Sequence, residues 1–243
     1  MICPEENWES YHYYTDTGLV VIGFHTEINN IEQEKFPYCA RVIIPIKHSL
    51  ENGGPTSEYA EELWRLEDEL VEFLGKHNSN CLLLGRLTHS GVRELVFQVG
   101  DWESFRPPVG LLMKSHPELE IDVSEHDGWD FFYESVWPSE DDWHAIYDRR
   151  VVDNLIKNGS DAEKIHELDF VFDGNKEQLE KLKQHLLSNG YINAKFSKNG
   201  NQLEITKKMI LDLNNVQEES RSNRFLCSKY GAEFNGWGAS ITK

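Results

Sequence analysis

Residues 167–206 read ELDFVFDGNKEQLEKLKQHLLSNGYINAKFSKNGNQLEIT, and this stretch decides the fold of the second half of the chain. Its pattern is strand, helix, strand, strand. Asn189-Gly190 ends the helix, and Asn199-Gly200 turns the chain between the last two strands. The predicted elements are strand Glu167–Phe172, helix Lys176–Ser188, strand Tyr191–Ser197 and strand Gln202–Thr206.

A helix and a strand complete this pattern downstream. The helix is predicted over Met209–Tyr230, where Gly231 ends it, and the strand over Ala232–Thr242. The order is then strand, helix, strand, strand, helix, strand. This split βαβ arrangement is typical of the ferredoxin-like fold in the α+β class.

Hairpin turns punctuate the first half at Asp16-Thr17-Gly18, Ser90-Gly91 and Asp127-Gly128, and each lies between runs rich in β-branched and aromatic residues. Two helices are expected between the strands, one over Glu58–Lys76 and one over Ser104–His116 with a late start near Pro108. The predicted strands are 8–14, 19–26, 40–46, 81–88, 92–99, 120–125 and 129–137. We therefore expect two tandem ferredoxin-like (βαββαβ) domains, the first with extra antiparallel strands.

The charge of the chain divides at the same place as this pattern. The first 145 residues carry 28 acidic and nine basic side chains, and the remaining 98 carry 14 and 15, within a net charge of −18. A split of this kind indicates two domains with different partners. Ser139, with Asp142 three places on, is expected to open a helix. The predicted boundaries are an acidic domain over 1–138, a connecting helix over 139–160 and a second domain over 161–243.

Several function classes are disfavoured by composition and by motifs. The acidic surface repels phosphates, and the third strand of the second half lacks the RNA-recognition signature, so we expect no direct nucleic-acid binding. We find no metal-binding motif and no nucleotide loop, and expect no metal and no cofactor. Without a basic leader or a long apolar run, the chain is expected to be cytoplasmic, with no membrane partner. Its four scattered cysteines fit free, mostly buried thiols.

The predicted helix over 58–76 carries an acidic face opposite its apolar stripe. One interpretation is a solvated face that keeps the protein in solution. The other is a docking surface for a basic protein partner, because a negative field speeds encounter with positive surfaces. The candidate binding residues are Glu58, Glu61, Glu62, Asp68, Glu69 and Glu72.

A second candidate site is the cluster of His126, Asp127 and Asp130. A histidine and carboxylates at a hairpin could perform the acid-base chemistry of a hydrolase-like enzyme. The alternative is that Asp127-Gly128 is a turn and His126 a surface residue at a strand end. No other residue pattern suggests catalysis, and we expect a protein that is not an enzyme, with no catalytic residue.

The final strand carries Asn235-Gly236-Trp237-Gly238. This motif resembles the closing signature of the bacterial family called regulator of ribonuclease E activity B. The resemblance extends upstream to about residue 146, through the strand beginning at His166 and the helix ending at Asn189-Gly190. It implies a cytoplasmic, non-catalytic protein that binds a ribonuclease or its scaffold and dampens RNA turnover.

The first half resembles the uncharacterised domain of unknown function 695. The resemblance lies in Trp8-Glu9-Ser10-Tyr11, in the long acidic helix and in Asp127-Gly128-Trp129. The leading hypothesis is a regulator that acts by protein binding, with the acidic face of the first domain steering the encounter. An alternative is an immunity protein against a basic nuclease toxin, which would use the same electrostatic attraction between an acidic face and a basic partner. The sequence leaves the oligomeric state open.

Overall fold

A computed structural model of the protein describes residues 7–241, in which helices lie on two antiparallel β-sheets. The chain divides into two units between Pro138 and Ser139. Each unit has its own hydrophobic core, formed between its sheet and the helices on one face of that sheet. The sequence therefore predicts the mixed α/β composition correctly.

The first unit is built on a six-stranded sheet in which all neighbouring strands are antiparallel. Its elements are β1 (Trp8–Thr15), β2 (Gly18–His25), β3 (Tyr38–Pro45), α1 (Ser57–Lys76), β4 (Cys81–His89), β5 (Val92–Val99), α2 (Trp102–Ser115), β6 (Asp122–Asp127) and α3 (Asp130–Ser135). The spatial order is β1-β2-β4-β5-β3-β6. When β3, β4, β5 and β6 are counted from one to four, the order 4-1-3-2 appears, with the β1–β2 hairpin beyond β4.

Helix α1 forms the main cover of this sheet. The hydroxyl of Thr56 caps it by accepting a hydrogen bond from the N–H of Tyr59 at 3.3 Å. Its apolar side chains recur at three- and four-residue spacing, so they share one face. That face is buried against strand residues such as Val42 and Phe97. The buried apolar positions of the helix are Tyr59, Leu63, Leu66, Leu70 and Leu74.

Helix α2 begins at Trp102, and the prediction of a late start near Pro108 is wrong. The carboxylate of Asp101 caps the helix by accepting from the N–H of Ser104 at 2.8 Å. A proline inside a helix leaves the carbonyl four residues earlier without its usual donor. For Pro108 that carbonyl belongs to Ser104, and it accepts instead from the hydroxyl of Ser79 at 2.6 Å. This side-chain donor helps the helix to continue through the proline.

Residues 129–137 do not form the predicted strand, and the predicted hairpin at Asp127-Gly128 is wrong. Strand β6 ends at Asp127, and the N–H of Gly128 bonds to the carbonyl of Pro37 at 2.8 Å. The chain then forms helix α3. Phe132 and Val136 are both fully buried, and a spacing of four residues places two side chains on one face of a helix or of a strand. An aromatic run that is apolar on both faces does not distinguish the 3.6-residue period of a helix from the two-residue period of a strand.

A glycine in β4 makes room for the end of α3. A Cβ atom on Gly85 would lie 2.7 Å from Cγ1 of Val136, which is closer than real contacts allow, and 3.2 Å from Cβ of Val96, which is tighter than most. The segment from α3 to Trp137 therefore approaches the sheet directly. It covers part of the sheet face opposite α1, where Phe24 and Trp137 meet edge to face at 5.5 Å.

The second unit has a four-stranded antiparallel sheet with the order β10-β7-β9-β8. Its elements are α4 (Glu140–Lys157), β7 (Ile165–Asp173), α5 (Lys176–Ser188), β8 (Ile192–Phe196), β9 (Gln202–Ile210), α6 (Leu213–Tyr230) and β10 (Glu233–Ala239). Counted from β7, the order is again 4-1-3-2. The core contains the inward side chains of β7 and β9, such as Phe170 and Ile205, and the buried faces of the helices.

Strand β9 is longer than predicted, and helix α6 starts four residues later, at Leu213. Met209 and Ile210 were expected in the helix, but they pair with His166 and Ile165 of β7. Asp212 then caps α6 by accepting from the N–H of Asn215 at 3.0 Å. The last predicted strand residue, Thr242, lies outside the described residues.

Helix α4 starts where predicted, with a reciprocal capping box between Ser139 and Asp142. The sequence predicts a connecting helix over 139–160. The structure places it in the second unit, where it lies against α6. Its buried residues Val152 and Leu155 belong to the core of that unit.

Three cysteines lie among the described residues, and all three are buried: Cys39, Cys81 and Cys227. Burial raises the pKa of Cys39 to about 12 and that of Cys227 to about 12, which keeps both as thiols at neutral pH. Cys3 lies outside the described residues. Within residues 7–241, no helix is both long and apolar enough to cross a membrane.

Candidate functional site

The six acidic residues proposed on α1 do not form a uniformly free surface. Glu58, Glu61 and Asp68 are exposed, and the structure gives them no ion pair among the described residues. The other three contact neighbouring basic side chains. Glu62 pairs with Arg65, Glu72 pairs with Lys76 at 2.5 Å, and Glu69 bonds to His116 at 2.8 Å.

A seventh acid of α1, Glu67, has a different role that the sequence analysis missed. Its carboxylate is buried and accepts hydrogen bonds from Nε of Arg86 at 2.8 Å and from Nη2 of the same residue at 2.5 Å. Glu67 lies four residues after Leu63 and three before Leu70, so it is on the apolar side of the helix. That spacing was the available signal for its burial. The acidic face is therefore narrower than the count of acids suggests.

The His126 cluster does not assemble as a catalytic group. His126 and Asp127 are consecutive on β6, so their side chains point to opposite faces of the sheet. Nε2 of His126 lies 3.0 Å from the hydroxyl of Ser124, and its ring stacks on Phe131 at 5.5 Å. Among the described residues, His126 has no hydrogen bond to Asp127 or Asp130. The geometry therefore gives no support to a hydrolase at this position.

The motif Asn235-Gly236-Trp237-Gly238 lies on β10, at one edge of the second sheet. The pairing of β10 with β7 shifts between Phe234 and Gly236, which leaves Asn235 as the extra residue of a bulge. Gly236 has a φ of +104°, a conformation that side-chain-bearing residues rarely adopt. The amide of Asn235 donates to the carboxylate of Asp173.

The indole of Trp237 connects this strand to helix α4. Its Nε1–H donates to Oδ1 of Asp148 at 2.7 Å, and the hydroxyl of Ser220 on α6 donates to the same oxygen at 3.0 Å. Asp148 is 7% exposed. One buried carboxylate thus joins α4, α6 and β10. The sequence indicated Trp237 but not Asp148, which lies in a predicted helix with no motif of its own.

Burial raises the pKa of Asp148, while the hydrogen bonds from Trp237 and Ser220 oppose that shift. The folded protein therefore holds this proton more tightly than the unfolded chain, and stability falls as the pH rises through the folded-state pKa. Asparagine keeps the acceptor oxygen and does not titrate. We expect the stability of Asp148→Asn relative to the natural protein to increase as the pH rises above about 4, the ordinary pKa of an aspartate.

Urea denaturation followed through the indole N–H signal of Trp237 measures this difference. Asp153→Asn is the matched control, because Asp153 is an exposed aspartate on the same helix. The stability of Asp153→Asn relative to the natural protein should not show the increase with pH that is expected for Asp148→Asn. If the two variants showed the same pH dependence, Asp148 would not be the group responsible.

A groove of about 590 Å³ lies on the second unit between α5 and α6. At its base the hydroxyl of Tyr191 donates to Glu219, whose carboxylate also pairs with Lys207 at 2.5 Å. Phe225 on the rim is 69% exposed, and Arg221 lies near it on the same helix. An exposed aromatic beside an arginine is typical of residues that dominate protein–protein binding energy.

Two family models match the chain. The Family of unknown function (DUF695) matches residues 6–136. Regulator of ribonuclease activity B matches residues 145–239. Among the curated proteins, none matches.

Among solved structures, the chain is similar to one described as a candidate glycine cleavage system transcriptional repressor. The identity is 10%, the alignment covers 85% of this chain and 98% of that chain, and the TM-score is 0.24. A similarity of this size supports no conclusion about fold or function. The two resemblances seen in the sequence are both confirmed by the family models. The chain belongs to the DUF695 family of unknown function, and the unit that follows its DUF695 region matches the regulator of ribonuclease activity B.

Proposed function

We propose that this protein is a non-catalytic regulator that binds a ribonuclease through protein–protein contacts and lowers its activity. The observation that carries the proposal is the match of residues 145–239 to the regulator of ribonuclease activity B. The side chains of His126 and Asp127 point to opposite faces of the sheet, so they do not support the competing hydrolase. The proposed setting is the cytoplasm, where ribonucleases and their RNA substrates meet.

Each unit would have a different task in this proposal. The groove between α5 and α6, with Phe225 exposed at its rim, would supply apolar contact area on the unit that resembles the regulator. The open carboxylates of α1 would steer a basic partner toward the protein. Electrostatic steering raises the association rate more than it lowers the dissociation rate.

We also propose that both units are ferredoxin-like domains, as the βαββαβ order suggests. The support is the 4-1-3-2 strand order, which occurs in β3–β6 and again in β7–β10. In this classification the β1–β2 hairpin is an addition to the first domain. The functional boundary of the second domain would then include α4, which shares its core.

The direct experiment titrates the full chain into purified ribonuclease E and follows cleavage of a fluorogenic RNA. We expect saturable inhibition that weakens as salt increases, because the steering charges are exposed and therefore screened. Inhibition that persists after removal of the full chain from the mixture would indicate a contaminant. Absence of both binding and inhibition at low salt would reject ribonuclease E as the target.

Neutralising the open carboxylates of α1 tests the steering role. We expect the association rate to fall about tenfold at low salt and to change little at high salt, as measured by stopped-flow or surface plasmon resonance. The control removes the same number of charges from exposed positions away from α1. The test variant combines Glu58→Gln, Glu61→Gln and Asp68→Asn, and the control variant combines Asp16→Asn, Glu27→Gln and Glu34→Gln. Equal losses in the two variants would show that only net charge matters.

A further inference from the structure

A cavity of about 350 Å³ opens beside helix α1, at the hairpin end of the first sheet. Two rows of paired residues form its floor, because cross-strand neighbours point to the same face. The first row is Ser10, Gly23 and Arg86, and the second is Val21, Thr88 and Arg93. Trp8 and Trp64 line the cavity above this floor. We call it the Trp8–Trp64 pocket.

The missing side chain of Gly23 contributes to the space. A Cβ atom at this position would lie 3.8 Å from Cβ of Arg86 and 3.9 Å from the ring of Trp8, which are ordinary contact distances. A small side chain would therefore fit, and a larger one would fill the floor. The volume lies at the lower end of the range for small-molecule sites. A compact organic molecule matches it in size.

The two arginines of the pocket are in different electrostatic situations. Arg86 is neutralised by Glu67, and its guanidinium lies 3.6 Å from the centre of the Trp8 ring. Arg93 is only 7% exposed, and its Nε donates to the hydroxyl of Thr88 at 2.6 Å. Among the described residues, no carboxylate forms an ion pair with Arg93.

A buried guanidinium without a paired carboxylate is costly, because it has lost water and gained no opposite charge. Burial lowers the pKa of Arg93; the nearby Glu67 opposes this shift and Arg86 adds to it. The ring of Trp64 lies 5.1 Å from the guanidinium of Arg93, and this cation–π contact offsets only part of the cost of burying the charge. An anion in the pocket would supply the missing charge.

The lining also limits which anion fits. Tryptophan and valine side chains form much of the wall, which favours an apolar or aromatic body. Arg93 is the lining cation that has no paired carboxylate among the described residues, and it supplies one positive charge, so a dianion such as a phosphate monoester would keep a negative charge that a monoanion does not. The planar fork of an arginine binds a carboxylate through two parallel hydrogen bonds.

We propose that the Trp8–Trp64 pocket binds a small monocarboxylate, whose carboxylate pairs with Arg93 and whose apolar body contacts the side chains of Trp8 and Trp64. The pocket lies in the first unit, where Trp64 shares α1 with the open acids, and its occupant is a small molecule and not the ribonuclease proposed above. It gives the DUF695 unit a ligand of its own. The binding requires no covalent step.

Titration of the full chain with benzoate and with indole-3-acetate tests the proposal. Binding is followed by tryptophan fluorescence and by the indole N–H signals of Trp8 and Trp64 in NMR spectra. We expect each carboxylate to bind at least tenfold more tightly than its neutral amide, benzamide or indole-3-acetamide. We also expect Arg93→Met to weaken carboxylate binding at least tenfold. Gly23→Leu should abolish binding by filling the floor.

Arg106→Met is the matched control, because Arg106 also lies over a tryptophan, Trp102, but is exposed and paired with Glu125 outside the pocket. It should leave carboxylate binding unchanged. Equal binding of acids and amides would overturn the proposal, as would unchanged binding in Arg93→Met. Tighter binding of phenyl phosphate than of benzoate would also overturn it, as would the absence of binding at millimolar concentrations. The comparison of acid with amide remains decisive in the natural protein even if Arg93→Met does not fold.

Discussion

Replacing Glu67 with alanine is expected to lower the free energy of unfolding of the first unit by about 3–5 kcal/mol. Its carboxylate is 5% exposed and accepts two hydrogen bonds from Arg86. Removal would leave the guanidinium of Arg86 against Trp8 with no opposite charge, next to the second buried cation, Arg93. The measurement is urea denaturation followed through the indole N–H signals of Trp8 and Trp64.

A double variant distinguishes the effect of the Glu67–Arg86 ion pair on stability from the effect of side-chain packing. Glu67→Met combined with Arg86→Met removes both charges and keeps similar side-chain volume, so we expect a stability within about 1 kcal/mol of the natural protein. A loss as large as that of Glu67→Ala would instead assign the effect to packing. A cost below about 1 kcal/mol for Glu67→Ala alone would show that water solvates the pair.

Replacing Phe132 with alanine is expected to cost about 3–5 kcal/mol. Phe132 is fully buried, and its ring lies 5.8 Å from that of Trp129 and 6.1 Å from that of Trp137. The short helix α3 has one inward anchor of this size, so its loss would expose part of the sheet face that the segment covers. Denaturation monitored by the indole signals of Trp129 and Trp137 measures the cost.

Tyr133→Ala provides the comparison for Phe132→Ala, because Tyr133 is the next residue along the chain and is 41% exposed. Its hydroxyl accepts a hydrogen bond from the side chain of Gln33 at 2.5 Å. We expect Tyr133→Ala to cost no more than about 1 kcal/mol. Similar costs for the two variants would contradict the anchoring role of Phe132.

Helices with local signals were predictable from the sequence. Helix α5 has the predicted bounds and ends before Asn189-Gly190 as expected, and α1 differs from its prediction by one residue. Both helices combine a capping side chain with a regular apolar stripe. These signals depend on residues within a few positions of each other, so the sequence alone contains them.

Features that depend on distant residues were not predictable. Helix α2 continues through Pro108 with the hydroxyl of Ser79 as a donor, and Ser79 lies 25 residues before the carbonyl it bonds. The end of α3 fits only because position 85 in β4 is a glycine. Neither fact appears in the local pattern around the proline or around the aromatic run.

The candidate sites likewise include residues that local sequence identifies and residues that only the fold identifies. The exposed acids Glu58, Glu61 and Asp68 could be placed on one helix face from their spacing alone. The pairing of Asp148 with Trp237 joins residues 89 positions apart, and the lack of a carboxylate partner for Arg93 among the described residues is visible only in three dimensions. A sequence shows which residues carry charge, and the fold decides which charges remain uncompensated.

The irregular edges of the second sheet have a consequence for solubility. Both of its edge strands contain a register shift, β10 near Gly236 and β8 between Ile192 and Lys195. Asn193 and Gly236 adopt positive φ angles of 56° and 104° in these strands. Bulged edges resist pairing with strands of another molecule, which is a route to aggregation. The nearly neutral second unit has little charge repulsion to keep copies apart, so its bent edges provide a protection that the acidic unit obtains from charge.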